Sequence, residues 1–199
     1  MSVDLVRCFV CIEVGESVRK RLGSWLSDLR ILAPEVRWVR DEAFHITLKF
    51  CGEIPYALLY KLENALEHGF NLKKLRPFTL ELSGIGAFPG FRNPKVLWAG
   101  IGGEEDQIHR IVSVVERAAL AAGIEAERQP FHPHVTVARI PTNVEIPVGV
   151  FREINSRGEA WGKWRVSSIT LMRSELLPEG PRYTPVAVFD FTNDQEVQK

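Results

Sequence analysis

The same short pattern, His-x-Thr-x, occurs twice in this chain, as His45-Ile46-Thr47-Leu48 and as His134-Val135-Thr136-Val137, each inside a run with β-strand character. The interval between them is close to half of the 199 residues, which points to an internally duplicated arrangement with two lobes. Successive strand side chains point to opposite faces, so each imidazole shares a face with the hydroxyl two residues on. Brought together, two such pairs supply two titratable nitrogens and two hydrogen-bond donors. That is a sufficient kit for acid–base chemistry on a phosphate.

The rest of the chain alternates strand and helix patterns with no low-complexity linker. Strands are expected over 5–14, 44–51, 78–85, 96–101, 134–140, 166–173 and 186–191, with a loop at 86–90. Helical spacing runs through Val18, Leu22, Trp25, Leu26 and Leu29, then Leu58, Leu59, Leu62, Ala65 and Leu66, then Ile108, Ile111, Val112, Val115 and Ala119. Pro34 ends the first helix and Pro55 starts the second. Asp106 caps the third, and Gly123 closes it. The spacings are too irregular for a uniform parallel barrel, so the expected class is α+β.

With 45% hydrophobic residues, the chain buries a sizeable core as one domain or as two closely packed lobes. Lys and Arg balance Asp and Glu at 25 each, which argues against tight, extended binding of a long polyanion. A small or terminal phosphate remains open. No apolar run approaches the length of a membrane span, and Met1-Ser2-Val3-Asp4-Leu5 lacks the basic and apolar regions of a secretory leader. A cytoplasmic location is expected. Cys8, Cys11 and Cys51 are too few and unevenly placed for a disulfide framework. Cys8 and Cys11, three apart on a strand, face opposite sides and read as packing thiols.

The two His-x-Thr-x segments resemble the paired motifs of the 2H phosphoesterase superfamily. Arg7-Cys8-Phe9-Val10-Cys11-Ile12, Arg37-Trp38-Val39, Val96-Leu97-Trp98-Ala99-Gly100, Phe131-His132-Pro133-His134 and Gly180-Pro181-Arg182-Tyr183 are similar, in family order, to its RNA 2′,3′-cyclic phosphodiesterase branch, once called 2′-5′ RNA ligases. The resemblance runs from about residue 5 to about residue 190, nearly the whole chain, and implies one bilobal domain over 1–199. It implies two pseudo-symmetric lobes, each an antiparallel sheet with packed helices, and a central cleft with one motif on each wall.

The resemblance implies His45 as proton donor to the leaving 3′ oxygen and His134 as the base that activates water. Thr47 and Thr136 would donate hydrogen bonds to the non-bridging oxygens. It also implies Arg139 as a cation near the phosphate and Phe50 as an aromatic ring near the base. Each lies five residues after its histidine, an odd offset that strand alternation places on the wrong face unless a bulge, twist or strand end intervenes. By alternation alone Phe50 reads as a core ring, and Lys49, in phase with His45 and Thr47, as a cleft cation or a solvated side chain. His132 reads as a hydrogen-bonded support at the cleft.

Packing is the default for Trp25, Trp38 and Trp98. His68 and His109 read as surface residues, Gly84 and Gly86 as turn glycines, and Arg182 with Tyr183 as rim or hairpin residues. Arg37, Arg40 and Lys49 around one motif, with Arg128 and Arg139 around the other, predict a positive cleft despite the zero total charge.

The expected partner is an RNA end carrying a 2′,3′-cyclic phosphate, or a small cyclic nucleotide, bound by a monomer away from membranes and with no cofactor. Three alternatives stay open: ATP-independent 2′-5′ joining in the same cleft, a non-catalytic RNA-end binding module, and a metal-dependent hydrolase built on His132 and His134.

Overall fold

In the first strand, β1 (Leu5–Glu13), alternation sends Val6, Cys8, Val10 and Ile12 into the main core and Phe9 and Cys11 to the opposite side. Cys8 and Cys11 therefore face opposite ways, and all three cysteines are free thiols. The computed structural model describes residues 4–73, 75–147, 149–150, 154, 160–178 and 180–191. Residues 1–3, on which part of the leader argument rests, lie outside the described residues.

After β1 come α1 (Glu16–Leu32), β2 (Arg37–Trp38), a 3-10 turn (Asp41–Ala43), β3 (His45–Pro55), α2 (Tyr56–Lys73), β4 (Phe78–Phe88) and β5 (Val96–Gly103). Then follow α3 (Glu105–Ala122), β6 (His134–Arg139), β7 (Ala160–Val166), β8 (Ser168–Leu177) and β9 (Gly180–Asp190). The strands form one curled antiparallel sheet in the order β7-β4-β5-β6-β3-β1-β8-β9, with β2 also on β6. Each half contains a strand, a helix and a motif strand returning antiparallel to the first: β1-α1-β3 and β5-α3-β6. The motif strands are the innermost of each half. They meet at one residue pair, Ile46 with Val135.

The helices interlock the halves. α1 follows β1 but lies on β7 of the other half, where Trp25 and Trp161 have ring centroids 5.2 Å apart. α3 follows β5 but packs on β3 and on α2, whose Phe70 stacks on Phe189 and Phe191. A single apolar core spans both halves as a result.

Several expected boundaries shift. Pro55 ends β3 instead of starting α2, because its fixed φ and missing N–H are tolerated at a strand end as readily as at a helix start. α3 begins at Glu105, so Asp106 is inside the helix, and Glu104 precedes it with no side-chain cap. Gly123 closes α3 as expected, in the left-handed region at φ 91°. Residues 86–88, expected in a loop, continue β4, and β7 was not anticipated. In β7 the two buried tryptophans, Trp161 and Trp164, are three apart, an offset that hides strand alternation; a register irregularity around Trp161 and Gly162 reconciles it.

Candidate active site

Ile46 and Val135 are fully buried in the main core. Continuing their antiparallel register one residue each way sets His45 opposite Thr136 and Thr47 opposite His134. All four side chains then lie on the other face of the sheet. The two distant motifs thus become one four-residue patch at the junction of the halves.

Both motif strands break phase at the same place. Against β1, Leu48 is an extra residue between Thr47, opposite Cys11, and Lys49, opposite Val10. Against β5, Val137 is the extra residue between Thr136, opposite Trp98, and Ala138, opposite Leu97. Each bulge is the third residue after its histidine. From the histidine onward the exposure pattern is the same in both strands: half-buried, buried, half-buried, buried, buried, exposed. An extra residue reverses the alternation, so Phe50 and Arg139 return to the histidine face and the residue before each turns into the core.

Two sequence expectations are corrected by this bulge. Lys49 is neither a cleft cation nor solvated: it is buried, and its Nζ donates to Glu116 Oε2 at 3.0 Å and to the Glu125 carbonyl at 2.7 Å. Phe50 is not a core ring. It is 47% exposed, with the Arg7 guanidinium 4.6 Å from its ring centroid. Arg139 lies near enough to disfavour the protonated forms of both His45 and His134. Arg37 is its direct cross-strand partner, so the two cations share a face, whereas Arg40 donates to the Pro181 carbonyl.

The two imidazoles are held in the same way. His45 Nδ1 is 2.7 Å from the Ala43 carbonyl, and His134 Nδ1 is 2.7 Å from the His132 carbonyl. A carbonyl only accepts, so Nδ1 carries the proton and the neutral ring has its lone pair on Nε2. For His45 the accepting carbonyl sits on the 3-10 turn. That turn is tied to α1 by Arg30, which pairs with Asp41 at 2.6 Å and donates to the Val39 carbonyl at 2.9 Å.

The walls behind the rings differ. His45 stacks on Phe9, with centroids 4.8 Å apart and planes 28° apart, and meets Tyr183 edge-on at 5.3 Å. His134 meets Phe88 edge-on at 5.2 Å, and Trp98 and His132 lie at 6.2 Å. Trp98 lies flat over Gly86, where a Cβ would fall 2.1 Å from the indole. Gly86 is therefore a close-approach glycine inside β4, not a turn glycine. His132 contributes its backbone carbonyl to His134 and its ring to the Phe88–Trp98 wall.

Burial is the largest influence on both histidines and lowers both pKa values from the ordinary imidazole value. The carbonyl bonds oppose that shift. Neighbouring positive charge adds to it: His134 and Arg139 for His45, His132 and Arg139 for His134. Tyr183 is pushed up by burial, which keeps its phenol neutral. Among the described residues, no three His, Cys, Asp or Glu side chains are grouped to hold a metal ion.

Strand alternation places the four motif residues on this face, and only the family resemblance adds Arg139 and Phe50; neither points to the aromatic walls. Phe9 and Arg7 are in phase on β1, and that alternation was the available signal. Phe88 had none, because its segment read as a loop. Of the late pair, Tyr183 lines the cleft and Arg182 forms a hairpin ion pair with Glu175 at 2.9 Å.

A family profile described as LigT like phosphoesterase matches residues 12–98 and 101–183 in two successive segments. A protein from Aeropyrum pernix named RNA 2′,3′-cyclic phosphodiesterase is 41% identical over 152 residues, 74% of this chain and 82% of its own. One of the same name from Methanothermobacter thermautotrophicus is 31% identical over 186 residues, 92% of this chain and 98% of its own. Among solved structures, E. coli LigT complexed with 3′-AMP superposes with a TM-score of 0.74 at 25% identity, covering 96% of this chain and all of that one. A Thermus thermophilus structure superposes with a TM-score of 0.71 at 28% identity, covering 94% of this chain and 99% of that one. With a profile match in each half, two His-x-Thr-x strands joined at the sheet centre and relatives spanning most of its length, the chain belongs to the LigT-like 2H phosphoesterase family.

Proposed function

We propose that this protein is an RNA 2′,3′-cyclic phosphodiesterase that opens the cyclic phosphate at an RNA end to a 2′-phosphate. The observation that carries this reading is the matched pair of imidazoles on one face, each locked through Nδ1 and left with Nε2 for proton transfer. The relatives named above carry the same activity in their names.

In-line displacement at phosphorus needs a base beside the attacking water and an acid beside the departing oxygen. His134, neutral with a lone pair on Nε2, takes the proton from water as the oxygen bonds to phosphorus. The bond from phosphorus to O3′ breaks, and His45, protonated on Nε2, gives its proton to O3′. The phosphoryl group stays on O2′. Burial depresses the His45 pKa in the free enzyme, and an anionic phosphate between the rings raises it again, so the substrate promotes the protonation its own cleavage requires. Thr47 and Thr136, each opposite the other half's histidine, donate to the non-bridging oxygens, and Arg139 compensates their charge. Phe50, braced by Arg7, offers an apolar surface to a base, and His132 supports His134.

The protein acts as a monomer in the cytoplasm, and its two halves form one domain. Every proposed catalytic group comes from the same chain, and among the described residues no helix is long and apolar enough to cross a membrane. The test is to incubate it with a short RNA ending in a 2′,3′-cyclic phosphate, with and without chelator, and to identify the product by phosphorus NMR. A 2′-phosphate at equal rates in both samples is expected. A 3′-phosphate would overturn the assigned direction of ring opening, and loss of turnover on chelation would overturn the two-histidine mechanism.

A further inference from the structure

Lys49 and Ala138 occupy equivalent positions in the two motif strands, four residues after each histidine and one beyond each bulge. Ala138 faces Trp38 across the sheet and packs in the core with no charge involved. The fold therefore needs only a buried apolar residue there. In the other half the place is taken by a lysine only 4% exposed, although burying an ammonium carries a large desolvation cost even after relaxation.

The Lys49 ammonium is a junction of three segments. It leaves the bulge of β3, meets the Glu116 carboxylate of α3 at 3.0 Å, and donates to the Glu125 carbonyl at 2.7 Å. Glu116 also accepts the Glu127 N–H at 3.4 Å, and Phe131 meets His109 of α3 edge-on at 5.7 Å. Residues 124–133 connect α3 to β6 without helix or strand structure of their own, and they include His132, whose carbonyl holds His134 Nδ1. The first motif strand is thus bonded to the segment that delivers the second histidine.

We propose that Lys49 and Glu116 are positioning residues that fix His134, through residues 124–133, relative to His45. The pair touches neither substrate nor reacting atoms. It sets the separation of the two rings on which in-line transfer depends, and small displacements there lower the rate far more than substrate affinity. This inference rests on the phosphodiesterase reading for its kinetic consequence but not for its structural one.

The test compares Lys49→Met with the double variant Lys49→Met/Glu116→Met. Lys49→Met strands the half-buried Glu116 carboxylate and lowers Tm, whereas replacing both partners with apolar side chains of similar length restores most of it. In the refolded double variant, kcat for an RNA cyclic phosphate is expected to fall at least 10-fold with KM changed less than 3-fold. Amide hydrogen exchange over 124–133 is expected to rise at least 10-fold, with β1 and β8 unchanged. Normal exchange in the double variant would overturn the proposal. So would fast exchange with unchanged kcat, or a loss carried entirely by KM. If the single variant does not fold, the double variant decides alone. If the wild-type protein does not turn over the cyclic phosphate, the functional reading fails, and the exchange measurement still decides whether the strut orders the segment.

Discussion

The strands β3 and β6 are the same device with different surroundings. Each presents a histidine and a threonine on one face, inserts a bulge three residues after the histidine and anchors Nδ1 to a carbonyl two residues upstream. Past the bulge they diverge: Lys49 and Phe50 in one, Ala138 and Arg139 in the other. The rings also differ in setting, because His45 is sealed between Phe9 and Tyr183 while His134 stands against the Phe88–Trp98 wall and is less enclosed. A shared backbone template fixes where two imidazoles point. Neighbouring side chains then give each ring its own degree of enclosure.

The comparison breaks most visibly at the histidines. His45→Ala and His134→Ala should each lower kcat by about 10²–10⁴-fold, and the double variant should be little worse than either, since the two act as a unit. A cyclic phosphodiester whose leaving group needs no proton, such as an aryl oxide, should restore turnover to His45→Ala but not to His134→Ala. Equal rescue, or rescue of His134→Ala alone, would reverse or abolish the assigned roles.

Arg139→Gln sharpens the comparison by altering both rings at once. It should lower kcat/KM by about 10²-fold, as for removal of one charge-stabilising donor. Because the Arg139 cation depresses both histidines, its removal raises both pKa values, so both limbs of the bell-shaped kcat/KM profile should move to higher pH. In the unmodified protein, the depressed values place the optimum below the ordinary imidazole pKa of about 6.5. An optimum above that value, or an acid shift in the variant, would contradict the burial argument.

The smallest effect tests one wall alone. Gly86→Ala places a methyl group inside the Trp98 ring position and should cost about 1–3 kcal/mol of stability through forced displacement. In histidine ring NMR the His134 signals should shift while those of His45 stay in place. Movement of both would show that the two walls are not independent.

How far the site was legible follows from which physical rule each residue obeyed. His45, Thr47, His134 and Thr136 obey plain alternation, and their doubling supplied the strongest clue. Alternation alone misplaces Lys49 and Phe50, because a bulge leaves no mark in residue identity at Leu48; for Phe50 only the family resemblance points to the cleft. The same bulge at Val137 brings Arg139 to the histidine face. Gly86 reads wrongly as a turn glycine, and β7 with its tryptophans goes unseen, for a related reason: their roles depend on what lies across the sheet, not on sequence neighbours.

The amino-acid order by itself determined the α+β class, the helical stripes, the duplication and the paired His-x-Thr-x motifs, because these depend on periodicities of two and 3.6 residues and on side-chain chemistry. Only the tertiary structure decided that the two halves share one sheet joined at Ile46 and Val135, that both strands bulge at the same step, and that Lys49 turns inward to Glu116 and Glu125. Those outcomes depend on contacts between residues far apart in the chain, and each is settled by packing and charge satisfaction across the sheet.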